Sequence, residues 1–108
     1  GNPASWEKAV NARDESGGVI DMVSDEEIMS AHQLLATRAG IFSEPASAAS
    51  LAGVIKMFQK GMDFSGKTVV CVLTGTGLKD TEAILQNGHS FMELPADLAA
   101  VEQALGWG

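Results

Sequence analysis

The residues of this chain best suited to chemistry stand at Thr74, Gly75 and Glu44. Thr74 closes an unbroken apolar run, Val69-Val70-Cys71-Val72-Leu73, and is followed at once by Gly75-Thr76-Gly77. A β-branched run that stops at a hydroxyl and two glycines reads as a buried parallel strand. It would deliver a side-chain donor and an amide-rich turn to the carboxyl edge of a sheet, where open α/β sheets bind ligands. Glu44 precedes Pro45 and a run of small residues, Ala46-Ser47-Ala48-Ala49-Ser50, that would let a flat ligand or another backbone approach closely. Each residue also has a plainer reading. A threonine ending a strand is most often a turn residue, Glu44 can equally be an exposed loop carboxylate, and Ser47 and Ser50 read as packing residues of a tight helix.

Other chemistries find little support. The amides of Gly75-Thr76-Gly77 could face an anion as a backbone nest does. The Walker pattern is absent, however, and Asp80 breaks the Gly-x-Gly-x-x-Gly fingerprint, so nucleotide binding is not implied. Lys79 and Asp80 read as capping and solvating a following helix. His32, expected on a helix flank, and His89, expected in a turn, each lack a matching acid and nucleophile, so no triad can be assembled. Cys71 has no second thiol for a disulfide or a metal site and reads as a small buried hydrophobe. Asp25-Glu26-Glu27 are adjacent and fan around a helix instead of converging on a metal. No metal site and no catalytic residue is assigned.

The elements that must position these residues can be read from caps and periodicity. Asn2 before Pro3 suggests an N-cap and a first helical turn, with Trp6, Ala9 and Val10 on one face until Gly17-Gly18 ends the helix. Residues 19–23, Val-Ile-Asp-Met-Val, suit a strand. Ser24 and Glu27 form a capping box for a second helix, with Ile28, Ala31, Leu34 and Leu35 as its buried stripe and Gly40 beyond its end. Ile41-Phe42 reads either as a strand or as an extended connection. A third helix follows Pro45 and stops at Gly61. Residues 68–73 form the best strand, residues 80–85 a short helix, residues 91–93 a candidate short strand, and residues 95–105 a final helix closed by Gly106. The order implies an α/β fold, a small, mostly parallel sheet flanked by helices. Two convincing strands make a thin sheet that should need completion from outside the chain.

Composition narrows the functional classes. At 108 residues the chain has room for one domain, residues 1–108, burying roughly two-thirds of its unfolded surface. Its hydrophobic share of 45% and charged share of 19% are those of a globular chain. The formal charge is −7 and the seven Lys and Arg residues are scattered, which disfavours nucleic acid and anionic membrane surfaces. No apolar run approaches the about 20 residues that a spanning helix needs, and no basic-then-apolar leader is visible. The cytoplasm is the default compartment.

Four ordered segments, Gly1-Asn2-Pro3-Ala4-Ser5-Trp6, Glu44-Pro45-Ala46-Ser47-Ala48-Ala49-Ser50, Val69 to Asp80 and Leu94-Pro95-Ala96-Asp97-Leu98, together resemble the C-terminal part of the threonine synthases. These belong to the fold-type-II class of pyridoxal-phosphate enzymes. The resemblance implies a partial fold-type-II domain in which Thr74 hydrogen-bonds the pyridine nitrogen of pyridoxal 5'-phosphate, with Gly75 and Glu44 near the cofactor. It also implies a parent enzyme that converts O-phospho-L-homoserine and water to L-threonine and phosphate. The family's Ser-x-Lys-Asp-like motif, which carries the Schiff-base lysine, and its glycine-rich phosphate loop do not occur here, and Lys79 lies in the wrong context to replace that lysine. The chain is therefore expected to be a fragment, silent alone and binding the cofactor feebly or not at all. Ala39 and Thr81 depart from the pattern where a glutamate and a proline are usual. Two alternatives stand beside this reading: a self-associating α/β module that forms homo-oligomers, and a piece of another fold-type-II enzyme such as a threonine or serine dehydratase. Thr-Gly-Thr-Gly-Leu-Lys-Asp and Asn-Pro-Ala-Ser-Trp favour the synthase over the dehydratases.

Overall fold

The best-organised part of the chain begins at Ser24, whose hydroxyl accepts the amide of Glu27 at 3.1 Å while the Glu27 carboxylate accepts the amide of Ser24 at 2.7 Å. This reciprocal cap satisfies two amides that the first helical turn would otherwise leave unpaired, and helix α2, Asp25–Leu34, follows. In the computed structural model the described residues are 4–79, 82 and 92–107. Helix α2 widens into a π-helical turn, Leu35–Ala39, where the Thr37 hydroxyl donates to the Gln33 carbonyl at 2.8 Å. Gly40, at φ 66°, ends the turn in the left-handed conformation that glycine tolerates best.

A 3₁₀ turn, Pro45–Ala48, leads into helix α3, Ala49–Gln59, and α3 packs on α2. The fully buried apolar residues there are Ala31, Ala48 and Ala52, flanked by Val23, Ile28, Leu35, Leu51 and Ile55. Alanines let the two backbones come close, at the expense of apolar area: each buried methyl-sized group contributes only about 0.8 kcal/mol. Residues 19–23 are tied to α3 by polar contacts. Lys56 Nζ donates to the Met22 carbonyl, and Lys60 Nζ lies 3.6 Å from Asp21.

Two further helices are peripheral. Helix α1, Trp6–Ser16, buries none of its residues and ends at Gly17, φ 66°. It begins at Trp6, later than the expected start; Asn2 and Pro3 lie outside the described residues. Helix α4, Leu98–Ala104, starts three residues after Pro95 because Asp97 supplies the cap, its carboxylate accepting the Ala100 amide at 3.2 Å. The expected helix at 80–85, and Phe91 of the candidate strand at 91–93, fall outside the described residues, apart from Glu82.

The expected sheet is not formed. Among the described residues there is no strand, and the one β-type pairing is an isolated antiparallel bridge between Ser43 and Thr76. Residues 19–23 and 68–73 have strand-like composition but no ladder, and Val70 is 81% and Val72 67% exposed. The α/β expectation, a small, mostly parallel sheet flanked by helices, is thus corrected to a helical arrangement with irregular connections. The physical reason is that β-branched composition reports fitness for a pleated, half-buried surface, not an intrinsic backbone preference. Without a hydrogen-bonded neighbour on either side, such a run has nothing to make it a strand. Cys71, expected to be enclosed in that strand, is only half-buried.

Candidate functional site

The chemistry-bearing residues meet where the Ser43–Thr76 bridge brings two distant segments together. Two backbone bonds make the junction: the Glu44 amide donates to the Gly75 carbonyl at 3.0 Å and the Gly77 amide to the Phe42 carbonyl at 3.1 Å. Both glycines are needed there for close approach. A Cβ on Gly77 would overlap the Phe42 ring, and one on Gly75 would overlap the Glu44 carboxyl.

Ser47 is the centre of the cluster. Pro45, at the first position of its 3₁₀ turn, sets the helical direction, and the Ser47 amide donates back to the Glu44 carbonyl at 3.1 Å. That turn aims the buried Ser47 hydroxyl at the other segment. Its oxygen accepts the amide of Thr74 at 2.9 Å and that of Gly75 at 3.0 Å, and lies 3.0 Å from the Thr74 hydroxyl. The Glu44 Oε1 atom lies 3.4 Å from both hydroxyls. Ser50 adds a second tie, its hydroxyl donating to the Val72 carbonyl at 3.2 Å. Ser47 and Ser50, read from the sequence as packing residues, thus hold the turn that carries Thr74.

Thr74, Gly75 and Glu44 are accordingly brought together, with the Thr74 side chain on the exposed side. The idea of an open amide nest at Gly75-Thr76-Gly77 needs correction: the Gly75 amide is taken by Ser47 and the Gly77 amide by Phe42, so neither is available to an anion. Gly75 serves the cluster by having no side chain.

His32 also differs from expectation. It is 1% exposed, not on a flank, and its Nε2 bonds the Ser43 carbonyl at 2.9 Å while its ring meets Phe42 edge-on at 5.9 Å. The contact clamps the segment before Glu44 onto α2. Its signal was available in the spacing, since Ile28, Ala31, His32 and Leu35 fall at i, i+3, i+4 and i+7, the ordinary buried stripe of a helix. Leu34, assigned to that stripe, is 42% exposed. His89 and Asp80 lie outside the described residues.

The arrangement can present one neutral hydroxyl beside one carboxylate on a surface, with both backbone anchors satisfied. That suits hydrogen bonding to a heteroatom of a flat ligand; it provides no nucleophile with a base. Comparison with known proteins agrees with a cofactor-binding lineage. A family described as "Pyridoxal-phosphate dependent enzyme" matches residues 2–75. The chain is 52% identical over 103 residues to the threonine synthase of Bacillus sp. strain ULM1, covering 94% of this chain and 29% of that protein. It is 61% identical over 80 residues to the threonine synthase of Halalkalibacterium halodurans, covering 74% and 23%. The Mycobacterium leprae threonine synthase is 46% identical over 106 residues, covering 98% and 29%. The chain thus spans between a quarter and a third of the length of the first and last of these relatives, and slightly less of the second.

Proposed function

The chain belongs to the pyridoxal-phosphate-dependent enzymes, and from that membership we propose that it is part of a threonine synthase-like enzyme, supplying the wall of the site that faces the cofactor's ring nitrogen. The parent reaction in this reading is conversion of O-phospho-L-homoserine and water to L-threonine and phosphate, carried out in the cytoplasm. The observation that carries the proposal is the convergence of Glu44, Thr74 and Gly75, 27 to 31 positions apart in pairs with Ser47 and Glu44, on one hydroxyl-carboxylate cluster.

The residues fit a pyridine ring. The Thr74 hydroxyl faces outward, and the only acceptor it needs to leave for a ligand is Glu44 Oε1 at 3.4 Å, a long contact given up cheaply. When bound, pyridoxal phosphate supplies an electron sink for carbanion chemistry. Thr74 would hydrogen-bond the ring nitrogen without adding charge, Glu44 would hold the Thr74 proton when no ligand is present, and Gly75 would leave room for the Glu44 carboxylate. The Schiff-base lysine motif and the phosphate loop are not in this sequence, so the chain alone should make no threonine and hold the cofactor feebly or not at all.

The test is a chimera in which this chain replaces the matching 103-residue segment of the Bacillus enzyme. Threonine formation is expected in the chimera, with a drop of about tenfold or more on Thr74→Val, the scale of one lost hydrogen bond to a reacting group. A dead chimera, or one indifferent to Thr74→Val, would defeat the proposal, and threonine above blank from the isolated chain with cofactor and O-phosphohomoserine would defeat its claim of silence. A second reading, homo-oligomerisation of the chain, is favoured by its exposed apolar residues, Val70, Val72, Leu78 and Met22 among them.

A further inference from the structure

We infer that Ser47 is the positioning residue of this site, fixing both the place of the Thr74–Gly75 turn and the direction in which the Thr74 hydroxyl donates; the directional half rests on the proposed role of Thr74. The argument is a count of protons and lone pairs. A serine oxygen has two lone pairs and one proton. Both lone pairs of Ser47 Oγ are occupied, by the amides of Thr74 at 2.9 Å and Gly75 at 3.0 Å. Thr74 therefore cannot donate to Ser47. Their 3.0 Å contact must run from Ser47 to Thr74, a better bond than the 3.4 Å alternative from Ser47 to Glu44.

Thr74 Oγ1 then accepts from Ser47, and its own proton is left for Glu44 Oε1 at 3.4 Å or for a ligand acceptor brought to the exposed face. A relay of fixed polarity results: two backbone amides into Ser47, Ser47 into Thr74, and Thr74 outward. It presents a donor, so it selects an unprotonated ring nitrogen over a pyridinium. Removing the serine hydroxyl would release two backbone amides and leave the Thr74 proton free to rotate, though no residue that touches the ligand had changed.

The test starts with amide hydrogen exchange on the ¹⁵N-labelled 108-residue chain without cofactor. The Thr74 and Gly75 amides are expected to exchange at least about tenfold more slowly than the intrinsic rate of an open chain. Ser47→Ala should abolish that protection while leaving Ala31 and Ala52 on α2 and α3 unchanged, and Ser47→Thr, which keeps the hydroxyl, should restore it. Open-chain rates at Thr74 and Gly75 in the unaltered protein would overturn the inference. So would parallel loss at Ala31 and Ala52 in every variant including Ser47→Thr, because the serine would then serve packing alone. In the chimera described above, Ser47→Ala should weaken cofactor retention by about tenfold and Ser47→Thr should restore it. Protected amides combined with retention indifferent to Thr74→Val would overturn the cofactor reading and the directional half; unprotected amides with retention lost in Thr74→Val would overturn Ser47 alone.

Discussion

Two glycines, two positions apart, touch the site in different ways, and their substitution separates its parts. Gly75→Ala would push on the Glu44 carboxyl, the far end of a flexible side chain that can swing into solvent. The stability cost should stay below about 1 kcal/mol, while Glu44 leaves the two hydroxyls. Gly77→Ala would push on the Phe42 ring, which lies edge-on to buried His32 and cannot rotate away freely; here about 1–3 kcal/mol is expected, as for an overpacked interior. Urea midpoints of the two variants check this, and equal losses would contradict it. The residue scale also shows what could be read in advance. Thr74, Gly75 and Glu44 were legible because a hydroxyl, a glycine and a carboxylate at abrupt boundaries carry meaning wherever the chain goes. Ser47 was passed over because its partners lie 27 and 28 positions away, and nothing in the spacing of one serine reports so distant an amide. His32 was passed over for another reason: its place in the stripe was visible, but its polarity suggested the surface, and only the Ser43 carbonyl makes its burial affordable.

Helices were legible in this chain and strands were not, because helices are closed by neighbours in sequence. The Ser24–Glu27 box, Gly17 and Gly40 each act within four residues of the turn they cap, so their types alone specified the ends of α1 and α2. Ser24→Ala should cost about 1 kcal/mol of helix stability, measured as lost α2 amide protection; an unchanged exchange pattern would mean that tertiary packing holds the turn by itself. Residues 19–23 and 68–73 depend on partners that sequence cannot guarantee, and one of them is secured by charge. Asp21 lies below the ordinary carboxylate value of 3.8, first because the Met22 amide donates to it at 2.7 Å and then because Lys56 and Lys60 lie nearby. A depressed carboxylate stabilises the folded state above its unfolded value and loses that contribution as pH falls through the folded one. The difference in stability between Asp21→Asn and the unaltered chain should therefore be steady at neutral pH and vanish well below pH 3.8. Asp21 is exposed, so the effect is small and shrinks with salt. A difference that persists unchanged into acid would assign the tether to Lys56 and Met22 alone.

At the scale of the whole molecule, the chain exposes far more surface than its mass requires. A folded monomer of 11.3 kDa would show about 5,700 Å², and this one shows 8499 Å². Its radius of gyration is 18.3 Å, against about 13 Å for a compact domain of this length. Three buried alanines are a small core to set against that surface, and the excess includes the apolar residues 69–72 and Met22. Water does not favour leaving such surface bare, so another surface should cover it. With the chain alone in solution, the available cover is a second copy, and light scattering is expected to give a mass above 11.3 kDa that rises with concentration. The remaining length of a threonine synthase-like enzyme would compete for the same surface if the proposed function holds. Adding the Bacillus enzyme's polypeptide without its matching segment should then dissolve the self-association and slow exchange across residues 69–72. A mass fixed at the monomer value up to high concentration would show that the exposed valines are tolerated by the isolated chain, and would remove self-association as a reading of its function.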